Sequence, residues 1–330
     1  VRIAILGGGS WGTALAMVLA RSHSIRLWVH DPDLCAHIRE TRINDVYLPG
    51  FTLPPPVEPT NSLEEALDGA AIVLSVTPSQ HCRALYARLR PLLAASQLLV
   101  SATKGIEDGT LLRMTEVIRE AIGDRFAPRL GVLSGPTFAR EIARGDPAAA
   151  VIAAEDAAVA RTVQEAFRSA SLRPYTNSDV PGVEYAGAFK NVIAIGAGIC
   201  DGLGLGSNTM AALITRGLAE ITRLACALGA RRETLSGLAG MGDLVLTCTG
   251  ALSRNRTLGG ELARGRKLAE IVSAMRMVAE GVTTTRAALA LARRAGVEMP
   301  ITSQMHAVLF EGRPPREALR DLMERELKGE

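Results

Sequence analysis

Lysine is almost absent from this chain. Of the 37 basic residues among its 330, only four are lysine: Lys104, Lys190, Lys267 and Lys328. Arginine supplies positive charge wherever a surface merely needs solvating. A lysine retained against that bias is a candidate for lysine's own property, a compact ammonium whose pKa can be moved. Lys267 and Lys328 lie in charged segments and read as surface, whereas Lys104 and Lys190 lie in apolar, glycine-bearing contexts. Other absences narrow the class. No apolar run approaches the roughly 20 residues of a membrane span. The chain opens on a strand pattern rather than a signal peptide. Cys35, Cys82, Cys200, Cys226 and Cys248 are odd in number, scattered, and form no C-x-x-C pair. That argues against a disulfide framework or zinc site and fits a reduced, cytoplasmic protein. His23, His37, His81 and His306 show no metal-ligand spacing, so no metal is expected. The net charge is only +3 and no block of Lys and Arg stands out, which makes nucleic acid a poor partner.

What is present begins in the first dozen residues. The apolar run Val1–Leu6 leads into Gly7-x-Gly9-x-x-Gly12, and a small-residue helix pattern follows. Strand, glycine turn and helix in that order grip a dinucleotide pyrophosphate. Gly7 permits the tight turn, Gly9 lets the backbone approach the phosphates, and Gly12 lets the helix pack on the strand. The free N–H groups that open the helix face the negative charge. An ordinary glycine-rich turn is the competing reading, and the context on both sides disfavours it. The ribose-reading position at the end of the second strand holds His30-Asp31. Asp31 would favour NAD and His30 could meet the 2′-phosphate of NADP, unless both merely form the turn into the next helix.

The length predicts two domains, and the 48 % hydrophobic share supports a large core. The first half alternates short apolar runs with helical patterns, which predicts a mostly parallel sheet. Strands are expected at 2–6, 25–29, 71–76, 97–101, 130–133, 149–153 and 172–175. Helices are expected at 13–21, 33–40, 63–67, 79–93, 112–122 and 156–169. The proline-rich stretch Pro49–Pro59 reads as an extended loop. Beyond the turn-rich junction Asn177–Gly182 only helical patterns remain, at 183–200, 209–228, 258–263, 268–274, 283–295, 301–310 and 315–327. The expected fold is therefore α/β: an N-terminal Rossmann domain over 1–180, doubly wound and mostly parallel, and a C-terminal all-α domain over 181–330.

Several constellations carry chemistry. The predicted helix around Lys190 is small or apolar nearly all round, so it is expected to be buried. A lysine in its middle is costly unless paired. Such a group can pass a proton to a carbonyl oxygen while hydride arrives at carbon; a structural ion pair is the blander reading. Asn191 follows directly and could orient the amine or simply pack between helices. Lys104 and the segment Ser134–Ala139 follow predicted strands, where ligands of open α/β sheets bind. Arg254 offers a planar fork suited to phosphate, flanked by Ser253 and Asn255. Glycines around Asp243 suggest backbone crowded against a ligand.

The ordered set GGGSWGTALA, ATKGI, LSGPTFAREI, EYAGAFKNVIAIGAGICDGLGLGSNTMAALITRGLAEI, GLAGMGDLVLTC and SRNRTLG resembles the bacterial glycerol-3-phosphate dehydrogenase family, over essentially the whole chain. The resemblance implies reduction of dihydroxyacetone phosphate to sn-glycerol 3-phosphate with NADH or NADPH, for phospholipid synthesis, by a cytoplasmic homodimer. It implies that Lys190 is the general acid/base, with Lys104, Gly135, Thr137, Asp243, Ser253, Arg254 and Asn255 around the substrate. It makes Ser10, Trp11, His30, Ala139, Val278 and Glu280 cofactor contacts beside Gly7, Gly9 and Gly12, with Lys104 and Arg254 near the cofactor as well. Thr137 stands where the family often has serine. Two rivals are a lysine-dependent reductase of non-phosphorylated β-hydroxyacids and a dinucleotide sensor without catalysis.

Overall fold

The apolar runs of the first half assemble into one sheet. The computed structural model describes residues 1–275 and 279–326. Its strands are β1 (Arg2–Leu6), β2 (Ser24–Trp28), β3 (Ile43–Asn44), β4 (Leu48–Thr52), β5 (Val57–Thr60), β6 (Ile72–Ser75), β7 (Leu98–Ser101), β8 (Leu130–Ser134), β9 (Ala148–Ala154) and β10 (Leu172–Asn177). Eight of them form a sheet in the order β10-β9-β8-β7-β6-β1-β2-β5. Every neighbouring pair in it is parallel except β8 with β9. The helices of this half are α1 (Ser10–Leu19), α2 (Pro32–Thr41), α3 (Leu63–Leu67), α4 (Cys82–Leu89), α5 (Met114–Ile122), α6 (Ala139–Arg144) and α7 (Ala157–Phe167).

The near-continuous hydrophobicity of β1 reflects cover on both faces. Ile3 and Ile5 join a core layer with Leu15 and Ile152, while Ala4 and Leu6 join another with Tyr86 and Val117. From β1 the chain moves first to β2 and later to β6 on its other side, so the order reverses at β1/β6. Ligands of open α/β sheets bind beyond the carboxyl ends of the strands at that reversal.

Where a loop is expected over Pro49–Pro59, the structure has strand at both ends and a turn only at 53–56. β4 pairs antiparallel with β3, and β5 adds to β2 as the edge of the sheet. Proline cannot donate a ladder hydrogen bond, but at an edge that loss is tolerated. The segment therefore reads as loop in sequence and still extends as strand. The six-residue α6 was too short to announce itself as a period.

The second half holds α8 (Val180–Gly202), α9 (Ser207–Ala227), α10 (Arg232–Leu235), α11 (Asp243–Thr249), α12 (Arg254–Ala263), α13 (Leu268–Ala274), α14 (Gly281–Ala295), α15 (Pro300–Phe310) and α16 (Pro315–Met323). A single π turn, Leu238–Gly242, precedes α11. There is no strand here among the described residues. The last expected helix reached Leu327, which lies outside the described residues, as does Lys328. Neither α10, the π turn nor α11 was expected, because Gly237, Gly240 and Gly242 suppress local helix propensity. Packing compensates around α8, whose residues enter two clusters: Phe189, Ile193 and Ala197 one, Val192, Ile195 and Ile199 the other.

The chain divides into two compact units, Val1–Lys104 with Leu112–Val183, and Gly105–Leu111 with Glu184–Glu330. The excursion Gly105–Leu111 belongs to the helical unit because Ile106 lies in its core, with Leu111 against it. All five cysteines are free thiols. No group of three metal-ligating side chains occurs among the described residues. No single helix among them is long and apolar enough to cross a membrane.

Candidate active site

In the sheet-bearing unit the glycine turn is shaped by close contacts. Gly7 has φ +137°, and a Cβ there would lie 2.4 Å from the Val76 carbonyl oxygen. A Cβ on Gly12 would lie 1.9 Å from the Gly7 carbonyl oxygen. Gly9, by contrast, faces open space. It is extended and precedes α1, whose first turn no side chain caps. Ser10 and Trp11 open that helix, so its first N–H groups are available to an anion. The turn therefore fits a dinucleotide pyrophosphate.

His30 is exposed just past β2, its ring 5.6 Å from that of Trp28. Asp31 caps α2 instead: its Oδ1 accepts from the backbone N–H groups of Asp33 and Leu34. Asp31 thus forms the turn into α2 through one of its two carboxylate oxygens.

Lys104, Gly135 and Thr137 come together. Lys104 Nζ donates to the Gly135 carbonyl oxygen at 3.2 Å, and so does Thr137 Oγ1 at 3.2 Å. The loops after β7 and β8 are thereby tied. Ala139 begins α6, two residues further on. The neighbours Thr103 and Ser134 carry buried hydroxyls with no hydrogen-bond partner. Ser134 lies in the segment that the sequence places at a strand end, Thr103 was not singled out there, and unpaired hydroxyls at such loops are what a ligand would satisfy.

In the helical unit Lys190 is 6 % exposed and Asp243 1 %. Lys190 Nζ donates to Asp243 Oδ1 at 2.5 Å and to Thr247 Oγ1 at 2.7 Å. Thr247 Oγ1 in turn donates to the Asp243 carbonyl oxygen at 2.6 Å. The costly mid-helix lysine thus has a charged partner, and α11 supplies it. Thr247 escaped the sequence reading, though its signal was there: four residues after Asp243, it lies on the same helix face.

Asn191 is engaged elsewhere. Its Oδ1 accepts from Asn255 Nδ2 at 3.0 Å, and Asn255 Oδ1 accepts from the Gly281 N–H at 3.0 Å. The two amides join α8, α12 and the start of α14, the helix-packing alternative for Asn191. Ser253 is the N-cap of α12, its Oγ accepting from the Arg256 N–H. Arg254 and Asn255 are the first residues of that helix, so Ser253, Arg254 and Asn255 together form a helix N-terminus. Arg254 is exposed to solvent. Desolvation pulls its guanidinium below the ordinary value, and the Glu280 carboxylate opposes that shift. Glu280 is half-buried and precedes α14. Val278 lies outside the described residues.

Comparison with known proteins follows the same division. Family models described as NAD-dependent glycerol-3-phosphate dehydrogenase N-terminus and C-terminus match residues 2–160 and 179–320. A protein of Koribacter versatilis named glycerol-3-phosphate dehydrogenase (NAD(P)+) is 59 % identical over 98 % of this chain and 97 % of its own length. One of the same name from Geobacter sulfurreducens is 54 % identical over 100 % of this chain and 98 % of its own. A crystal structure of glycerol-3-phosphate dehydrogenase from Coxiella burnetii superposes with a TM-score of 0.93 at 40 % identity, covering 98 % of this chain and 99 % of that one. Sequence, fold and full-length coverage agree: the chain belongs to the NAD-dependent glycerol-3-phosphate dehydrogenase family.

Proposed function

We propose that this enzyme reduces dihydroxyacetone phosphate to sn-glycerol 3-phosphate with NADH or NADPH, reversibly, and so supplies glycerophospholipid synthesis. The observation that carries the reading is the buried Lys190 ammonium, aimed by Asp243 and Thr247. Residues 1–180 form the dinucleotide-binding domain, and residues 181–330 form the helical domain that carries Lys190.

The glycine turn and the open first turn of α1 hold the pyrophosphate, with Ser10 and Trp11 beside it. When bound, the nicotinamide cofactor supplies hydride to the substrate carbonyl carbon. Lys190 holds a proton at Nζ and gives it to the carbonyl oxygen as that oxygen gains charge. Asp243 keeps the ammonium compensated, and Thr247 fixes its direction. Preorganised positive charge at the developing alkoxide lowers the barrier without reorganisation during reaction. The N-terminus of α12, with the Arg254 guanidinium, holds the substrate phosphate. Lys104, Gly135 and Thr137 line the substrate from the strand ends, and Ala139, Val278 and Glu280 complete the cofactor site. His30, exposed just past β2, is the residue that would meet the 2′ position of the adenine ribose. The enzyme acts as a cytoplasmic homodimer; the free thiols fit a reducing compartment.

The test follows reduced-nicotinamide absorbance with dihydroxyacetone phosphate and either NADH or NADPH. Loss of absorbance that needs the phosphate, and fails with dihydroxyacetone, is the expected result. Cofactor binding without turnover on either substrate overturns the reading.

A further inference from the structure

Asn44 is a fully enclosed polar side chain beside the glycine turn, at 0 % exposure. It sits on β3, in the short hairpin with β4. Its amide is used at both ends. Oδ1 accepts from the Tyr47 N–H at 3.1 Å, which fixes which way the amide faces. Nδ2 then donates to the Gly8 carbonyl oxygen at 2.8 Å and to Thr13 Oγ1 at 2.9 Å. Gly8 and Thr13 bracket the turn that precedes and opens α1.

The consequence follows from peptide geometry. In a trans peptide the carbonyl of one residue and the N–H of the next point in opposite directions. Holding the Gly8 oxygen against the buried Asn44 amide therefore aims the Gly9 N–H the opposite way, away from Asn44, and a Cβ on Gly9 would meet nothing within 4 Å. The Gly9 carbonyl is held separately, by the Thr13 N–H at 2.9 Å. With both flanking carbonyls tied, the Gly9 N–H has one direction left to it. Glycines are otherwise the residues least able to hold a peptide plane.

We propose that Asn44 is a positioning residue for cofactor binding: it locks the Gly8–Gly9 peptide so that the Gly9 N–H meets the pyrophosphate. The inference rests on reading Gly7–Gly12 as the dinucleotide turn. Asn44 itself touches no cofactor, and its effect is transmitted through one peptide plane. The hairpin Ile43–Thr52 then has a use beyond finishing the fold, since it presents the amide that sets the turn.

The experiment compares wild type with Asn44→Ala and Thr13→Val, using NADH fluorescence for affinity and ADP-ribose as a ligand with the pyrophosphate but no nicotinamide. Asn44→Ala is expected to weaken both ligands by about tenfold or more, the size of a lost hydrogen bond to a charged group. Thr13→Val, which keeps its shape, is expected to show the same pattern more weakly. At saturating NADH, kcat and the KM for dihydroxyacetone phosphate stay near wild type. The ADP-ribose-induced rise in Tm shrinks in both variants. A merely structural amide would lower Tm without ligand and leave that rise intact, and this result overturns the proposal. So does unchanged affinity in either folded variant while the wild type binds both ligands. If wild type binds neither NADH nor ADP-ribose, the dinucleotide reading falls first and takes this inference with it.

Discussion

Lys190 and Asp243 form a buried ion pair across two helices, Nζ to Oδ1, with Thr247 bonded to the same ammonium. Burying two charges is expensive, and the pair recovers that cost only through close geometry and further hydrogen bonds. A pair of this kind is poor value as a stabiliser and good value as a proton donor held in register. Lys190→Ala is expected to lower kcat by roughly two to four orders of magnitude, the reach of one general acid/base. Cofactor affinity should stay near wild type. Steady-state rates beside NADH titration check both halves, and near-normal turnover would sink the assignment.

Thr247 separates positioning from proton transfer. Thr247→Val keeps the shape and removes the hydroxyl that accepts from Lys190 Nζ and donates to the Asp243 carbonyl. Losing a buried bond to a charged group costs about 1.5–3 kcal/mol. The expected outcome is a kcat reduced by about ten- to a hundredfold, less than for Lys190→Ala, at unchanged KM for NADH. Equal losses in kcat for the two variants would remove the distinction.

Arg254 stands at the first position of α12, and helix start and guanidinium favour the same anion. Arg254→Ala is expected mainly to raise KM for dihydroxyacetone phosphate. Inorganic phosphate should then inhibit the variant less than wild type. Initial rates over a substrate series test this, and an unchanged KM would count against the phosphate role.

Cys248 lies on α11 one residue after Thr247 and is fully buried. Burial pushes its thiol up to about 12, and the charges of Lys190 and Arg256 oppose that only in part. The sign for stability follows. In the unfolded chain the thiol ionises in the ordinary range, whereas in the folded chain it stays protonated until about pH 12. The folded state therefore keeps this group's contribution at neutral pH and loses it as pH rises from the ordinary thiol range towards that value. Cys248→Ala should flatten the alkaline limb of the stability profile, measured by urea unfolding across pH. The native thiol should also resist alkylation at neutral pH, which mass spectrometry of the labelled protein reads directly.

The sheet was legible wherever apolar runs met both faces, as in β1, and the helical half wherever a period persisted, as in α13. Legibility failed where one residue type misled. Pro49 and Pro59 argued for loop, yet an edge strand and a two-stranded hairpin tolerate them. Glycines hid the π turn and α11, and with α11 the helix that positions Thr247 and Cys248. In the site, the rarity of lysine and the apolar helix around Lys190 marked it as a buried charge that needs a partner. Asn255 showed the opposite problem. Its amide reaches Asn191 and Gly281, contacts separated by 64 and 26 residues that no local pattern could announce, and its second Nδ2 hydrogen is left over for a ligand. Asn44 was equally silent, since a lone asparagine carries no signature of the carbonyl it holds.

Gly259 tests whether the substrate machinery depends on how closely two helices approach. A Cβ at this position of α12 would lie 2.0 Å from the Ile195 carbonyl oxygen and 2.9 Å from the Ile199 nitrogen, both backbone atoms of α8. Neither can yield as a side chain would, so Gly259→Ala must push the helices apart. Overpacking of this kind costs about 1–3 kcal/mol, which urea unfolding would register. The same shift reaches function, because α8 carries Lys190 and the first turn of α12 carries Ser253 and Arg254. Separating them should raise KM for dihydroxyacetone phosphate and lower kcat together, while NADH affinity, carried by the glycine turn of the other unit, changes little. A variant with wild-type kinetics and reduced stability would mean that the helix spacing serves the core alone.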